Sequence, residues 1–446
     1  MSKTFGFFKD MIPRGNVTSS NYPLPTYNVT VTTSNVDYAN KIDTINFIIS
    51  TNLTNNQRIY LTTSNASGAV FSDGSTTFSA PLASNGNITI SRKIAISSTD
   101  ANNYTANFQL RTGDFNGDIF FSTTANITTT NAVATGGTIL SNVAGYKVHQ
   151  FESTQAGGTG TYNFQITNGL GITSEYLIVG AGATAGGYYS SSAGLDGGQL
   201  SVWANSRGKW AGGGGGGQVV TGNVAVAEST VYPISVGNGG LYSLRNISGG
   251  TTGSLVYSFP SNGNSSSAFG ITASGGGAGS WVALNLLFTG ALYRFKAHTN
   301  NTGGGARPAA NCVASVWGFS GGDGANANVF TPFVNNIEFG ANTVNESNMF
   351  AGGGAGAGGD GTDAVNFTLQ AGNGGPGVAS NINGTSLFYG AGGRGGGGDL
   401  LGSPVFGSNG TGWGARGSGG PAGTGGQGQP GIVYVKYPAY QKSLSV

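Results

Sequence analysis

The sequence is poor in charged residues, cysteine and histidine, and each shortage excludes a class of function. Charged residues make up 8% of the 446 residues and the formal net charge is +2, so no basic surface that follows a phosphate backbone is expected and nucleic acid is excluded as a partner. Cys312 is the only cysteine, which excludes an internal disulfide. His149 and His298 lie in no zinc-binding spacing, so no metal site is predicted around them.

Long apolar runs are also missing. No apolar stretch of about 20 residues is present, so membrane insertion is not expected. The first ten residues lack the apolar region of a signal peptide, although a surface rich in Asn, Ser, Thr and Gly is typical of proteins that work outside cells. Together these features suggest a virion component that is assembled inside a host and released by lysis.

Proline is scarce but glycine is abundant, with 13 and 83 residues respectively. Only seven glycines precede residue 131, and the other 76 fall in the remaining 316 residues. Collagen is excluded because it needs glycine at every third position and much proline. Hydrophobic residues amount to 38%, enough for folded cores, so disorder throughout is not expected.

The first part of the chain predicts an antiparallel β-sandwich. Short runs rich in Val, Ile, Thr and Phe alternate with turn residues, and Asn116-Gly117 is a hairpin-turn signal. The apolar pairs Ile59/Leu61, Ile88/Ile90 and Phe108/Leu110 stand two residues apart, which places each pair on one face of its strand. The predicted strands are residues 27–32, 44–50, 58–63, 87–94, 104–111 and 118–128.

Two resemblances follow from particular segments. Residues 71–74 (FSDG), 87–92 (NITISR) and 108–113 (FQLRTG) resemble the Ig-like, Calx-beta-type domains common in structural proteins of marine cyanobacterial phages. A second set resembles the glycine-rich domain of phage tail and fibre proteins; it comprises residues 145–151, 160–164, 175–180, 230–237, 265–275 and 431–438.

The glycine-rich part is expected to form packed polyglycine-II helices. This extended helix has three residues per turn and keeps its amide hydrogens, so neighbouring segments can hydrogen-bond sideways. The second resemblance implies the same structure, since some receptor-binding tail-fibre adhesins fold as sandwiches of polyglycine-II helices. Predicted segments start near residues 180, 212, 237, 249, 275, 303, 318, 352, 372, 390 and 417.

The expected fold class is therefore all-β, with an Ig-like sandwich followed by a glycine-rich domain of strands and polyglycine-II helices. The expected divisions are an attachment arm at 1–25, the Ig-like sandwich at 26–130, a linker with opening strands at 131–174, the glycine-rich adhesin-like domain at 175–438, and a C-terminal tail at 439–446. The arm holds Phe5, Phe7 and Phe8, which suit either a short amphipathic helix on its own sandwich or docking on a neighbouring assembly protein.

Two patterns that imitate chemical sites receive other interpretations, and no third site can be placed. Residues 180–185 (GAGATA) follow a strand as a dinucleotide fingerprint does, but no helical periodicity comes after them, so no cofactor is expected. Asp114, Asn116 and Asp118 have the opening spacing of a calcium loop without its later ligands, so a turn is preferred over an irregular calcium site. No carboxylate pair can be placed, and the chain is expected to be non-enzymatic, with polysaccharide hydrolysis as the competing interpretation.

The better functional signal lies in the aromatic interruptions between glycine runs. If glycine segments form a rigid bundle, their connections gather at its ends, as binding loops do on other scaffolds. Flat rings suit sugar faces or outer-membrane protein loops, although such rings also seal bundle ends or subunit interfaces. The predicted receptor-binding residues are Tyr188, Tyr189, Trp203, Trp210, Trp281, Tyr293, Phe295 and His298.

These observations predict a virion structural protein, a tail-fibre or spike adhesin that binds a host glycan or outer-membrane protein. Other virion proteins are the expected partners of residues 1–25 and of the Ig-like domain, and homo-oligomers are compatible with the sequence. The main alternative is a capsid or tail decoration or fibre subunit without its own receptor. An ice- or surface-binding polyglycine protein predicts a flat repetitive face, which the irregular interruptions do not support.

Overall fold

We describe the fold from a computed structural model of the chain. The description covers residues 2–6, 25–33, 42–53, 57–64, 75–141, 143–153, 160–169, 171–185, 189–191, 213–241, 243–247, 255–259, 261–279, 281–287, 290–296, 325–326, 349–350, 353–362, 372–395, 412 and 427–446. Every regular element within these residues is a β-strand, so the predicted all-β class is confirmed.

The first sandwich consists of two antiparallel sheets. One sheet has the order β1-β2-β3-β6, with β1 (Ser2–Gly6), β2 (Thr26–Thr33), β3 (Ile42–Thr51) and β6 (Asn87–Ala95). The other has the order β5-β4-β8-β9-β29-β7, with β4 (Arg58–Ser64), β5 (Thr77–Pro81), β7 (Ser97–Ser98), β8 (Tyr104–Thr112), β9 (Ile119–Asn131) and β29 (Tyr440–Ser445). All six predicted strands of this region are present.

Side chains from both sheets fill the core of the first sandwich. Phe47 of β3 and Phe108 of β8 meet with ring centroids 5.1 Å apart. The residues of β6 and β8 alternate between buried and more exposed positions, because successive side chains of a strand point to opposite faces. Each of the three predicted apolar pairs contributes to this core, with Ile88 only partly buried. The alternation in the sequence therefore identified the inner face correctly.

The first sandwich also includes β1 and β29, the first and last strands of the described residues. Strand β1 pairs with β2, so residues 2–6 of the expected arm are strand rather than helix, and residues 7–24 lie outside the described residues. Residues 439–446, expected as a tail, contain β29, which lies between β9 and β7. The buried carboxylate of Asp43 accepts a hydrogen bond from the Leu444 amide at 2.9 Å, which fixes β29 to the core.

The second sandwich follows directly. One sheet has the order β10-β13-β17-β20-β21, with β10 (Val133–Thr135), β13 (Gly160–Asn168), β17 (Val231–Val236), β20 (Ser266–Ala268) and β21 (Ile271–Ala273). The other has the order β11-β12-β28-β14-β16, with β11 (Thr138–Leu140), β12 (Tyr146–Glu152), β14 (Thr173–Val179), β16 (Val219–Ala225) and β28 (Ile432–Pro438).

Strands β14 and β28 are buried on both faces. One face of Tyr176–Val179 contributes to the core between the two sheets, and the other packs against a hairpin of β26 (Val378–Ser380) and β27 (Leu387–Tyr389). A strand covered on both sides needs apolar residues at every position rather than at alternate ones. This explains the continuous apolar runs at 176–179 and 432–435.

Two chain crossings join the sandwiches. Strand β9 continues through Ala132 into β10, and β28 continues through Ala439 into β29. At the crossing the Ala132 amide donates to the Ala439 carbonyl at 2.8 Å, and the Ala439 amide donates to the Gly145 carbonyl at 2.9 Å. The first sandwich is therefore held at one end of the second by two hydrogen-bonded strands.

A bundle of extended segments continues from the strands of the second sandwich. We call it the glycine bundle; it comprises residues 180–185, 213–218, 237–240, 261–265, 274–279, 353–362, 372–377, 390–395 and 427–431. Seven of the predicted segments lie in it, while those near residues 249, 303, 318 and 417 lie outside the described residues. Most positions of the bundle are buried although they carry little side chain.

Hydrogen bonds in the glycine bundle repeat every three residues. Along residues 180–184 the donor–acceptor pairs are Gly180–Gln218, Ala181–Asn264, Gly182–Gln429, Ala183–Gly215 and Thr184–Ser261, at 2.8–3.2 Å. The first and fourth amides reach one neighbouring segment, the second and fifth reach another, and the third reaches a third neighbour. Gly215 and Gln218 likewise both donate to segment 274–279. Segments 180–185 and 213–218 thus satisfy their backbone groups through several neighbours, whereas a strand has two.

The close approach of these segments explains the glycine. A Cβ atom placed on Gly217, Gly276 or Gly392 would lie closer than 3.0 Å to the carbonyl oxygen of Gly180, Gly215 or Gly354, respectively. These oxygens belong to backbone and cannot move aside cheaply. Glycine is therefore required there by space rather than by a left-handed backbone.

Candidate functional site: the far end of the glycine bundle

All long connections of the second region leave from one end of the glycine bundle. Segments that follow β14, β17, β21 and β27 run outward from the sandwich, and segments that precede β16, β20, β26 and β28 run back to it. Residues 353–362 run inward, turn at 357–358 and run outward again, because Gly356 is bridged to Gly359 and the Gly353 amide donates to the Thr362 carbonyl. Each connection between an outward and a returning segment therefore begins and ends at the end away from the sandwich, which we call the far end. These connections are residues 186–212, 241–260, 280–352, 363–371 and 396–426.

One described residue of the last connection, Gly412, lies beside the part of the bundle nearest the sandwich. Gly412 accepts a hydrogen bond from the Gly217 amide and donates one to Pro430, at 2.8 and 2.7 Å. The opposite end of the second sandwich is where the first sandwich is attached, since Gly145 and Ala439 lie there. The far end and the first sandwich are thus separated by the length of the bundle and of the second sandwich.

The eight predicted receptor-binding residues all belong to two of these connections. Tyr188, Tyr189, Trp203 and Trp210 belong to residues 186–212, and Trp281, Tyr293, Phe295 and His298 belong to residues 280–352. Tyr188, Trp203, Trp210 and His298 lie outside the described residues. Tyr189 is in a strand, and Trp281, Tyr293 and Phe295 are in a hairpin, so the backbone of these four can be placed.

A small three-stranded sheet joins two of the connections. Strand β15 (Tyr189–Ser191) pairs with β19 (Leu255–Phe259), which pairs with β18 (Ser243–Ile247). The register sets Tyr189 opposite Tyr257, and Tyr257 opposite Arg245. Directly opposed residues of antiparallel strands share a face, so this row contains two tyrosines and one arginine.

A hairpin separates the other predicted residues onto two faces. Strand β22 (Trp281–Leu287) pairs with β23 (Gly290–Lys296), and Trp281 is opposite Lys296. Tyr293 is opposite Leu284 and Phe295 is opposite Val282, and both of these partners stand an odd number of positions from Trp281 along β22. Because neighbouring positions alternate between faces, Trp281 lies on one face of the hairpin and Tyr293 and Phe295 lie on the other. The structure therefore does not place these three aromatic residues in one cluster.

The segment that imitates a dinucleotide fingerprint has a structural role. Residues 180–185 continue β14 as an extended chain instead of opening a helix. The amides of residues 180–184 are bonded to carbonyl groups of neighbouring segments, so they are not directed toward a phosphate. The glycine spacing there serves the packing of the bundle.

The Asp114–Gly117 segment forms the predicted turn between β8 and β9. The Gly117 amide donates to the Asp114 carbonyl at 3.2 Å, and Asp114 Oδ1 accepts from the Asn116 amide at 2.7 Å. Its aspartate side chain thus caps the turn in the usual way. Across the described part of the chain, no group of three or more His, Cys, Asp and Glu residues could hold a metal ion.

The described histidine is a core residue. His149 lies in β12, as predicted, and is fully buried, with Nδ1 2.6 Å from the Gly136 carbonyl and Nε2 3.1 Å from the Tyr437 hydroxyl. Burial lowers the pKa of His149, and the hydrogen bond to Gly136 opposes that effect in part. Burial also raises the pKa of Tyr437. Both ring nitrogens are used inside the sandwich, so this pair stabilises the fold.

Sequence reasoning passed over the residues that accompany the predicted aromatics. Arg245 and Tyr257 are not among the predicted receptor-binding residues, although the structure puts them in register with Tyr189. Period-two alternation in residues 281–287 and 290–296 was the available signal for the two faces of the hairpin. No such signal existed for the pairing of β15 with β19, because 63 residues lie between the paired residues Ser191 and Leu255.

Comparison with protein families, with curated proteins and with solved structures finds no match to this chain. Among the described residues, no helix is long and apolar enough to cross a membrane.

Proposed function

We propose that this protein is a non-enzymatic virion protein, a tail-fibre or spike adhesin that binds a receptor on the host surface. The binding residues belong to the connections at the far end of the glycine bundle. Residues 1–25 and the first sandwich, as an Ig-like domain, attach the protein to other virion proteins. The protein then works on the virion surface and outside cells after lysis.

The observation that carries this proposal is the convergence of the connections at one end. A backbone-bonded bundle positions the ends of these connections, and the first sandwich, which we propose as the attachment unit, lies at the opposite end. Binding residues are commonly found on connections held by a rigid scaffold, because the connections can vary without loss of the fold. An adhesin needs this polarity, with attachment at one end and recognition at the other.

We further propose that the segments of the bundle are polyglycine-II helices. The three-residue repeat of their hydrogen bonds is the repeat of that helix. Six residues at about 3.1 Å each give a segment of roughly 19 Å. Such a scaffold supports recognition because its shape is fixed by backbone contacts and depends little on the sequence of the connections.

Binding of the labelled full chain to a panel of cyanobacterial cells, measured by flow cytometry, tests the proposal. Saturable binding to some strains and not others is expected. A variant with residues 363–371 replaced by a Gly-Ser linker of equal length is the matched control, because it alters a far-end connection without predicted receptor-binding residues. Absence of binding to any strain, together with many copies along the capsid or tail by immunogold labelling, would instead support the decoration alternative.

A further inference from the structure

The hairpin of β22 and β23 has two chemically different faces. One face carries Val282, Leu284, Leu286, Ala291, Tyr293 and Phe295 by register, and it is entirely apolar or aromatic. The other face carries Trp281, Ala283, Asn285, Leu287, Leu292, Arg294 and Lys296. The sequence alternates with the same period, so pattern and register agree on this division.

The second face concentrates positive charge. Arg294 and Lys296 are two positions apart on one strand and therefore share that face, with Trp281 directly opposite Lys296. Residues 281–296 contain no Asp or Glu, so no carboxylate of the hairpin neutralises these two cations.

The hairpin is attached directly to the glycine bundle. Segment 274–279 ends two residues before Trp281, and the Gly279 amide donates to the Thr184 carbonyl at 2.9 Å. The first residue of the cationic face is therefore close in sequence to a backbone-bonded position. This attachment restricts the conformations of the hairpin base, where Trp281 and Lys296 pair.

We propose that the face with Trp281, Arg294 and Lys296 binds an anionic saccharide of the host envelope. This inference rests on the proposed function and identifies the class of receptor. Guanidinium and ammonium groups form charge-assisted hydrogen bonds with sulfate or carboxylate groups, and an indole ring packs on the flat face of a sugar. A lipid surface is less favoured, because Trp281 lies with the cations rather than with the apolar residues.

Dextran sulfate and unmodified dextran are the probes, since they share a glucan chain and differ in charge. The full chain is expected to bind dextran sulfate, with an affinity that falls as salt is raised, and not to bind dextran. The double variant Arg294→Gln/Lys296→Gln should bind at least about tenfold more weakly, because each charge-assisted hydrogen bond contributes more than a neutral one. Val282→Ala, on the opposite face and outside the predicted receptor-binding residues, is the matched control and should retain binding.

Unchanged binding by the double variant, or equal binding of both polymers, would overturn the inference. Binding to phosphatidylglycerol vesicles that depends on Tyr293 and Phe295 would overturn it in favour of a membrane contact. The cell-binding assay separates the two levels: if the double variant binds cells as the unmodified chain does, the saccharide site is wrong and the adhesin proposal stands. If the unmodified chain binds dextran sulfate but no cells, the adhesin proposal fails while the site remains.

Discussion

The core of the first sandwich is made of side chains, whereas the core of the glycine bundle is made of backbone. Phe47, Phe108 and their neighbours fill the space between two sheets. In the bundle, carbonyl oxygens occupy the space that a Cβ atom would need at Gly217 or Gly276. The first kind of core is sensitive to lost volume and the second to added volume. Substitutions that remove side-chain atoms should therefore destabilise the first sandwich, and substitutions that add them should destabilise the glycine bundle.

The largest effect is expected from removing the strand that closes the first sandwich. Deletion of residues 440–446 removes β29 from between β9 and β7 and leaves the buried Asp43 carboxylate without the Leu444 amide. We expect a loss on the order of 5 kcal/mol, comparable with the whole stability of a domain. Hydrogen exchange should show lost protection in β3 and β8 and retained protection in the bundle. Removal of Val446 alone, which is 57% exposed, is the control.

If the same deletion abolished protection in both regions to an equal extent, the two cores would form one cooperative unit. The comparison would then fail, because the bundle would depend on side-chain packing in the first sandwich. Retained protection in β3 and β8 would show instead that β29 is dispensable for that sandwich.

Adding a methyl group to the bundle is the next largest change. Gly217→Ala places a Cβ closer than 3.0 Å to the Gly180 carbonyl oxygen, and overpacking of this kind typically costs about 1–3 kcal/mol. We expect a loss near 3 kcal/mol in the free energy of unfolding by urea. Gly359→Ala is the matched control, because the Cβ atom added there would have Pro376 Cγ as its nearest neighbour, at 3.2 Å, and no backbone atom. Its effect should stay within about 1 kcal/mol, and equal losses in both variants would contradict a backbone core.

As the pH is lowered, the second sandwich should lose stability at a higher pH than the first sandwich does. The pKa of His149 in the folded protein is lowered from its usual 6.5. Below pH 6.5 the unfolded chain therefore binds a proton at His149 more readily than the folded protein does. Stability therefore falls as the pH decreases below 6.5, by at most about 1.4 kcal/mol per pH unit. Denaturant midpoints at pH 7.5 and 5.5 measure this change. His149→Gln should reduce the slope, and an unchanged slope would show that another group causes it.

In the first sandwich the pH range over which stability changes lies lower. The Tyr104 hydroxyl donates to Asp100 Oδ2 at 2.5 Å, and this hydrogen bond, followed by the one from the Asn102 amide, holds the pKa of Asp100 below its usual 3.8. A lowered carboxylate pKa stabilises the fold at higher pH and loses that effect only as the pH falls below 3.8. Protection in β8 and β9 should therefore not change between pH 7.5 and 5.5.

The smallest effect is expected from removing a methyl group in the bundle. Ala183 is fully buried, with Gly214, Gly240 and Gly428 packed against its backbone. Ala183→Gly makes the unfolded chain more flexible while leaving every backbone hydrogen bond possible. We expect a loss of about 1 kcal/mol, measured by the same urea titration. A gain in stability would show that even this Cβ strains the bundle.

Local pattern predicted much of the fold. The alternation around Ile59, Ile90 and Phe108 located the strands and their inner face, because that signal depends only on residues close in sequence. Glycine runs predicted extended segments with backbone packing. The position of β29 could not be predicted, since its pairing with β9 joins residues more than 300 positions apart and its short sequence carries no distinctive alternation.

For the candidate site, sequence selected the connections but not the arrangement of their residues. Aromatic composition singled out Trp281, Tyr293 and Phe295 together, whereas strand register divides them between two faces. Register depends on where the chain reverses between Leu287 and Gly290, and a shift of one position changes which side chains share a face.

The double crossing between the sandwiches has a mechanical consequence. A pull on the far end of the glycine bundle reaches the first sandwich along two covalent paths, through Ala132 and through Ala439. These paths enter one sheet as the adjacent antiparallel strands β9 and β29, which are paired over six residues. Load that enters both strands from the same side is shared between them and passes to their neighbours β8 and β7 as shear along the strands. The tether is therefore stiffer than a single linker of the same length.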